Sequence, residues 1–188
     1  MRKLVILFFF FLLVHTSGAE ITEHLEYTYY SANIDSKSSI NAALKASSPV
    51  KKEGHLFYGD TEWHLKWKFR WKKFADGNYK ISNATVEVTG NIILPKLSGS
   101  PTPTQEKKFE KFFSALRVHE LGHYTLAKEA AVELEKQILA LPEMSTGKDL
   151  NSAANGIGYQ KIKELKEKQK QYDAETGHGK TQGAWING

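Results

Sequence analysis

The most regular pattern in this chain is an alternation of apolar and polar residues between positions 61 and 74. A period of two residues predicts a β-strand that buries one face and exposes the other to solvent. The buried face would be aromatic and the exposed face basic. The apolar set is Trp63, Leu65, Trp67, Phe69 and Trp71, and the polar set is His64, Lys66, Lys68, Arg70 and Lys72.

A second strand is predicted over residues 79–94, which are rich in β-branched side chains and follow the turn signal Asp76-Gly77. Its alternation changes phase near Ser82 and Asn83, which predicts a β-bulge there. Residues 25–34 predict a further strand and residues 36–46 a short helix. Residues 95–103 contain Pro, Gly, Ser and Thr and predict a loop.

A long helix is predicted after that loop. Thr102 is a suitable N-cap, Pro103 occupies the first helical position and Gln105 completes a capping box. The pattern stops at Pro142. The inward stripe contains Phe109, Phe112, Phe113, Leu116, His119, His123, Ala127, Ala130, Leu134 and Ile138.

A second helix is predicted from Asp149 to about Tyr172, with a loop from residue 173 to the end. These elements together predict one α+β domain over residues 20–188. Its small antiparallel sheet would pack on the long helix, and the C-terminal loop would return to that helix.

The first 19 residues have the order of an export signal. Arg2 and Lys3 precede an apolar run over residues 4–14, and small residues end at Ala19. The run is shorter than the roughly 20 residues that cross a bilayer as a helix. We therefore expect cleavage after Ala19, no membrane span in the mature chain, and a periplasmic or secreted protein.

Charge and cysteine content limit the classes of partner and the ways in which the fold can be stabilised. The chain has 26 basic and 21 acidic residues, an excess too small and too dispersed to favour nucleic acid as a partner. It has no cysteine, so core packing or a metal must stabilise the fold without disulfides.

The candidate chemistry lies in the sequence His119-Glu120-Leu121-Gly122-His123 on the long helix. Residues four apart share a helix face, so both imidazoles can reach one zinc ion. Glu120 can then act as the general base for a zinc-bound water. Gly122 weakens the helix relative to alanine, which suggests that another group approaches closely there.

A catalytic zinc site needs a third protein ligand. Glu129 faces away if the helix continues, and Glu133 lies too far along it, so both are expected at the surface or in a supporting position. The lysine-rich surroundings of His64 favour a solvent position. His178 differs because Gly177 and Gly179 flank it and allow the backbone to fold its side chain inward.

A second motif follows the H-E-x-x-H helix near the C-terminus: Tyr172-Asp173-x-x-Thr176-x-His178-Gly179-x-x-Gln182-Gly183-Ala184. Together with that helix, this motif resembles a family of predicted secreted bacterial zinc-dependent proteases, long catalogued as a domain of unknown function. The match continues upstream at Trp63, Trp67 and Leu94-Pro95.

The resemblance implies that His119, His123 and His178 bind Zn²⁺ and that Glu120 is the catalytic base. Asp173 is the alternative third ligand, or else it orients a ligating histidine. Tyr172 is either a donor to the oxyanion or ordinary packing.

We therefore expect an exported zinc metallopeptidase that acts on protein or peptide. The alternatives are a non-catalytic, zinc-stabilised envelope protein that binds a partner, and an amidase of cell-wall peptides.

Overall fold

The computed structural model of the chain describes residues 21–186, so the predicted signal segment and its cleavage site lie outside the described residues. The elements are β1 (Ile21–Ile34), α1 (Ile40–Ser47), β2 (Lys51–Lys52), β3 (His55–Leu56), β4 (Asp60–Lys73), β5 (Tyr79–Gly99), α2 (Pro103–Leu139), α3 (Gly147–Thr176) and a 3-10 turn (Lys180–Gln182). The α+β class is confirmed.

The predicted hairpin of β4 and β5 is present and antiparallel, with Leu65 opposite Val88. The predicted bulge is also present, because Arg70 pairs with Asn83 and Trp71 with Ile81, which leaves Ser82 as the extra residue. The Ser82 hydroxyl donates to the Arg70 carbonyl oxygen at 3.2 Å. The bulge restores the inward direction of the β5 side chains on both sides of the shift.

The sheet is mixed rather than wholly antiparallel, because β1 pairs with β5 in parallel in the order β1-β5-β4. The chain between β1 and β4 contains α1 and a small hairpin of β2 and β3, so β1 and β4 enter the sheet in opposite directions. Alternation in sequence carries no information on this direction.

β5 continues to Gly99, so the loop predicted over residues 95–103 is wrong for residues 95–99, and the connection to α2 is only residues 100–102. Pairing with β4 ends at Ile93, so Pro95 has a neighbouring strand on one side only, opposite Tyr30 of β1. A missing backbone N–H is tolerated at such a position. β1 likewise starts four residues before its predicted start, and α1 starts at Ile40 because the Ser39 side chain caps it.

α2 begins as predicted. The Thr102 side chain accepts from the Gln105 N–H, and the Gln105 side chain accepts from the Thr102 N–H, which completes the capping box. The buried side chains of the helix face the inner side of β5 and β4. The helix stays continuous past the histidine motif to Leu139.

α3 packs across the inner face of β4, where it contacts two tryptophans. The Trp67 Nε1–H donates to Asn155 and the Trp71 Nε1–H to Asn151, both at 3.0 Å. Gly158 lies directly under the Trp67 ring, where a Cβ would be only 2.3 Å from a ring carbon. The tryptophan-rich strand therefore holds α3 against the sheet and sets where the end of α3 meets α2.

Within residues 21–186, no helix is long and apolar enough to cross a membrane.

Candidate metal centre

The histidine motif lies on the buried face of α2. His119 and His123 are 3% and 8% exposed, and their rings lie 4.8 Å apart. Another group does approach Gly122 closely, as predicted from a glycine inside a helix. A Cβ at this position would lie 2.1 Å from the Tyr172 hydroxyl oxygen. The Tyr172 ring stacks on His119 with centroids 5.1 Å apart. The glycine therefore lets α3 pack against the two imidazoles.

Asp173 of α3 completes a compact group with the two histidines. Its Oδ1 lies 3.3 Å from His119 Nε2 and 3.1 Å from His123 Nε2, and the two Nε2 atoms are 3.3 Å apart. Among the described residues these three side chains form a group whose ligand atoms all lie within 4.8 Å of one another. The alternative third ligand from the sequence is thus placed with the two histidines.

The protonation of His123 follows from its contact with Gln169. The Gln169 amide nitrogen donates to the His123 carbonyl oxygen at 2.9 Å, which orients the amide. Its Oε1 then accepts from His123 Nδ1. In the neutral imidazole, which is the form that binds a metal, this contact places the hydrogen on Nδ1 and leaves the lone pair of Nε2 facing Asp173.

The same logic applies to His119 through two other side chains. The Tyr172 hydroxyl donates to the His119 carbonyl oxygen at 3.3 Å and accepts from the Gln182 amide at 3.0 Å. Gln182 Oε1 therefore faces His119 Nδ1, at 3.0 Å, and accepts its hydrogen. The Nε2 lone pair of His119 is also directed at the shared space.

This donor set fits zinc. Two lone pairs and a carboxylate oxygen face one another, and they repel unless a cation lies among them. Ligands about 2.0–2.1 Å from one tetrahedral ion lie about 3.3 Å apart, close to the separations found here. Burial raises the pKa of Asp173, but its contacts with the His119 and His123 side chains outweigh burial and hold that pKa well below the usual range. The carboxylate is therefore charged and able to bind a metal.

Glu120 lies beside this group and is held by the start of β4. The Thr61 hydroxyl oxygen lies 2.9 Å from both the backbone oxygen and Oε2 of Glu120. Oε1 faces Gly59, where a Cβ would be only 2.7 Å away. Burial raises the pKa of Glu120 above its ordinary value, and His123, Thr61 and His119 offset part of that rise. A carboxylate with a raised pKa is a better proton acceptor near neutral pH.

His178 lies next to the group without joining it. Its Nδ1 is 3.3 Å from Asp173 Oδ1, its side chain is 55% exposed, and its ring contacts Phe57. The loop does return to α2 as expected, but the residue against His119 is Gly179, where a Cβ would lie 2.9 Å from the ring. The assignment of His178 as third ligand stays a prediction.

The other acidic and histidine residues weighed in the sequence are elsewhere. Glu129 is exposed, and Glu133 accepts from Lys161 at 3.0 Å. His64 is exposed on β4, as expected from its lysine neighbours.

Three residues that contribute to the site were not predicted from the sequence: Thr61, Gln169 and Gln182. Gln169 lies one helical turn before Asp173, so a polar pair at that spacing was a usable signal. Gln182 was within the C-terminal motif without an assigned role. Thr61 gives no signal, because its contact with Glu120 joins residues 59 positions apart.

We expect Gln169→Leu to weaken zinc binding by about 10- to 100-fold, because His123 would lose the acceptor that fixes its hydrogen on Nδ1. Competition titration with a zinc-chelating dye measures the change. Gln171→Leu is the control, because Gln171 is exposed on α3 and its side chain donates to Glu175. Equal zinc affinity in wild type and Gln169→Leu would exclude this role for Gln169.

The fold and the site define an α+β protein whose long helix carries an H-E-x-x-H motif beside an inward-facing carboxylate. The chain matches the family model described as "Bacterial protein of unknown function (DUF922)" over residues 27–179, and it belongs to that family. The match includes both histidines, Glu120 and Asp173. Neither the curated proteins nor the solved structures gave a match.

Proposed function

We propose that this protein is an exported zinc metallopeptidase that hydrolyses peptide bonds with Glu120 as general base. The observation that supports it most is the convergence of His119 Nε2, His123 Nε2 and Asp173 Oδ1 within 3.3 Å. Three protein ligands are the number found in catalytic zinc sites, where the fourth position is left for water.

A zinc ion bound by these residues would supply a Lewis acid and lower the pKa of a bound water toward 7. The protein contributes the position of each group. Gln169 and Gln182 keep the histidine lone pairs directed inward, and Thr61 holds one oxygen of Glu120. The other Glu120 oxygen is available to take a proton from water and return it to the leaving amine.

A peptide substrate fits the surroundings of Glu120. β4 is an edge strand, paired on one side with β5, and its second residue, Thr61, contacts Glu120. An extended peptide can hydrogen-bond to such an edge. The unpaired edge of β4 near the site thus favours an extended chain over a compact ligand.

Zinc content and hydrolysis of an unfolded protein such as casein test the proposal. We expect one zinc per chain, and hydrolysis that a chelator abolishes and added zinc restores. Bound zinc without hydrolysis of any protein or peptide supports the non-catalytic envelope protein. Cleavage of cell-wall peptides alone supports the amidase. Absence of zinc after reconstitution excludes all three.

A further inference from the structure

A row of cations occupies the outer face of β4. Lys66, Lys68, Arg70 and Lys72 are all exposed and alternate with the side chains that pack inward. Alternate residues of a strand are about 6.7 Å apart, so four of them span about 20 Å. That spacing is shorter than the Debye length of about 8 Å at physiological salt, so neighbouring charges reinforce one another.

These cations have no acidic partners within the described part of the chain, where none of the four forms an ion pair. Glu87 is opposite Lys66 in the sheet but does not form an ion pair with it. The nearby Lys80 differs, because it pairs with Glu143. The four cations that point the same way therefore carry charge that no acidic side chain of the described residues neutralises through an ion pair.

The face is also concave. An open groove of about 790 Å³ runs beside these cations, where the bulge at Ser82 displaces β5. Its floor offers hydroxyl and amide groups, which can hydrogen-bond to phosphate oxygens. Its lining residues are Lys68, Phe69, Arg70, Lys72, Ser82, Asn83 and Thr85.

We propose that the outer face of β4 binds a linear polymer of closely spaced phosphate groups. A row of cations over a groove floored with hydroxyl and amide groups complements such a chain in charge and in shape. A flat anionic membrane can contact the row of charges but cannot enter the groove beside it, whereas a single polymer chain can contact both. Single-stranded nucleic acid would call for stacking aromatics, but the outward positions from Lys66 to Lys72 are all charged, and Phe69, which borders the groove, packs on the core.

The groove is separate from the metal centre. Thr61 contacts Glu120 at one end of β4, and Lys68 lies seven residues further on, about 23 Å along the strand. Polymer binding can therefore be measured without reference to hydrolysis.

Binding of fluorescent long-chain inorganic polyphosphate to the purified protein tests the proposal, in low and in high salt. We expect the triple variant Lys66→Gln, Lys68→Gln, Lys72→Gln to bind at least about tenfold more weakly than wild type. The control removes the same charge from the exposed face of α3 by Lys163→Gln, Lys166→Gln and Lys168→Gln. It should change affinity by less than about twofold. Circular dichroism and zinc content should be unchanged in both.

Three results would overturn the proposal: no binding of polyphosphate by wild type, equal losses in the two triple variants, or tighter binding to another anion. Phosphatidylglycerol vesicles and single-stranded DNA are the comparison ligands for the third result. Preference for vesicles would assign the face to a membrane, and preference for DNA would assign it to nucleic acid. Orthophosphate should compete only weakly, because one phosphate cannot contact the whole row.

Discussion

The Glu120→Gln variant should hydrolyse peptide bonds about 100- to 10,000-fold more slowly than wild type and keep its zinc, because only the proton acceptor is lost. The amide has nearly the same shape as the carboxylate and can still accept from Thr61. His119, His123 and Asp173 keep all their contacts. Single-turnover hydrolysis of a fluorogenic peptide, measured beside zinc content, separates catalysis from metal binding.

The matched control is Glu129→Gln. Glu129 lies on the same helix, but it is exposed and outside the metal group. Its substitution removes the same charge and should leave rate and zinc content unchanged. Full activity in Glu120→Gln would show that another group accepts the proton, and the proposed mechanism would be wrong.

Asp173→Ala should weaken zinc binding by more than about 100-fold, whereas His178→Ala should weaken it by less than about tenfold. Asp173 faces both Nε2 atoms, so its loss would remove a ligand. Loss of a residue that only orients a ligand lowers zinc affinity about 10- to 100-fold, and loss of the ligand itself should lower it further. His178 contacts only Asp173 within this group and is half exposed. Zinc affinity of the two variants decides between the ligands.

The reverse order of affinities would make His178 the third ligand and leave Asp173 as the group that orients it. Large losses in both variants would indicate four protein ligands. A closed site of that kind is typical of structural zinc and would favour the non-catalytic alternative. Absorption spectra of the cobalt-substituted proteins report the coordination number independently of affinity.

Local sequence was sufficient for much of this fold. The period of two in β4, the phase change at Ser82 and the capping box at Thr102 each depend on residues close in sequence. The parallel pairing of β1 with β5 depends on how the intervening chain crosses the sheet. Nothing in the alternation of either strand specifies that crossing, so the predicted sheet was antiparallel throughout.

The site likewise combines features that local sequence predicts with features that depend on tertiary packing. The helix places His119 and His123 on one face, as their spacing predicts. The close contact at Gly122 was also predictable, because glycine is unfavourable inside a helix. The choice between Asp173 and His178 depends on the angle at which α3 reaches α2. Trp67 and Trp71 set that angle from the inner face of β4, so it cannot be derived from the motif itself.

The order of the contributing residues along the chain has a consequence for biogenesis. α2 provides two of the converging atoms, but Gln169, Asp173 and Gln182 follow the histidines they contact by 46, 50 and 63 residues. Whether the polypeptide emerges from a ribosome or from a translocation channel, its N-terminal part is free to fold first. A chain that had emerged only to the end of α2 would already contain the H-E-x-x-H helix, but the residues that contact it from α3 and the C-terminal turn would still be missing. Assembly of the metal centre, and with it the proposed hydrolysis, would thus be withheld until residues 169–182 had emerged, which would protect whatever surrounds the chain during synthesis.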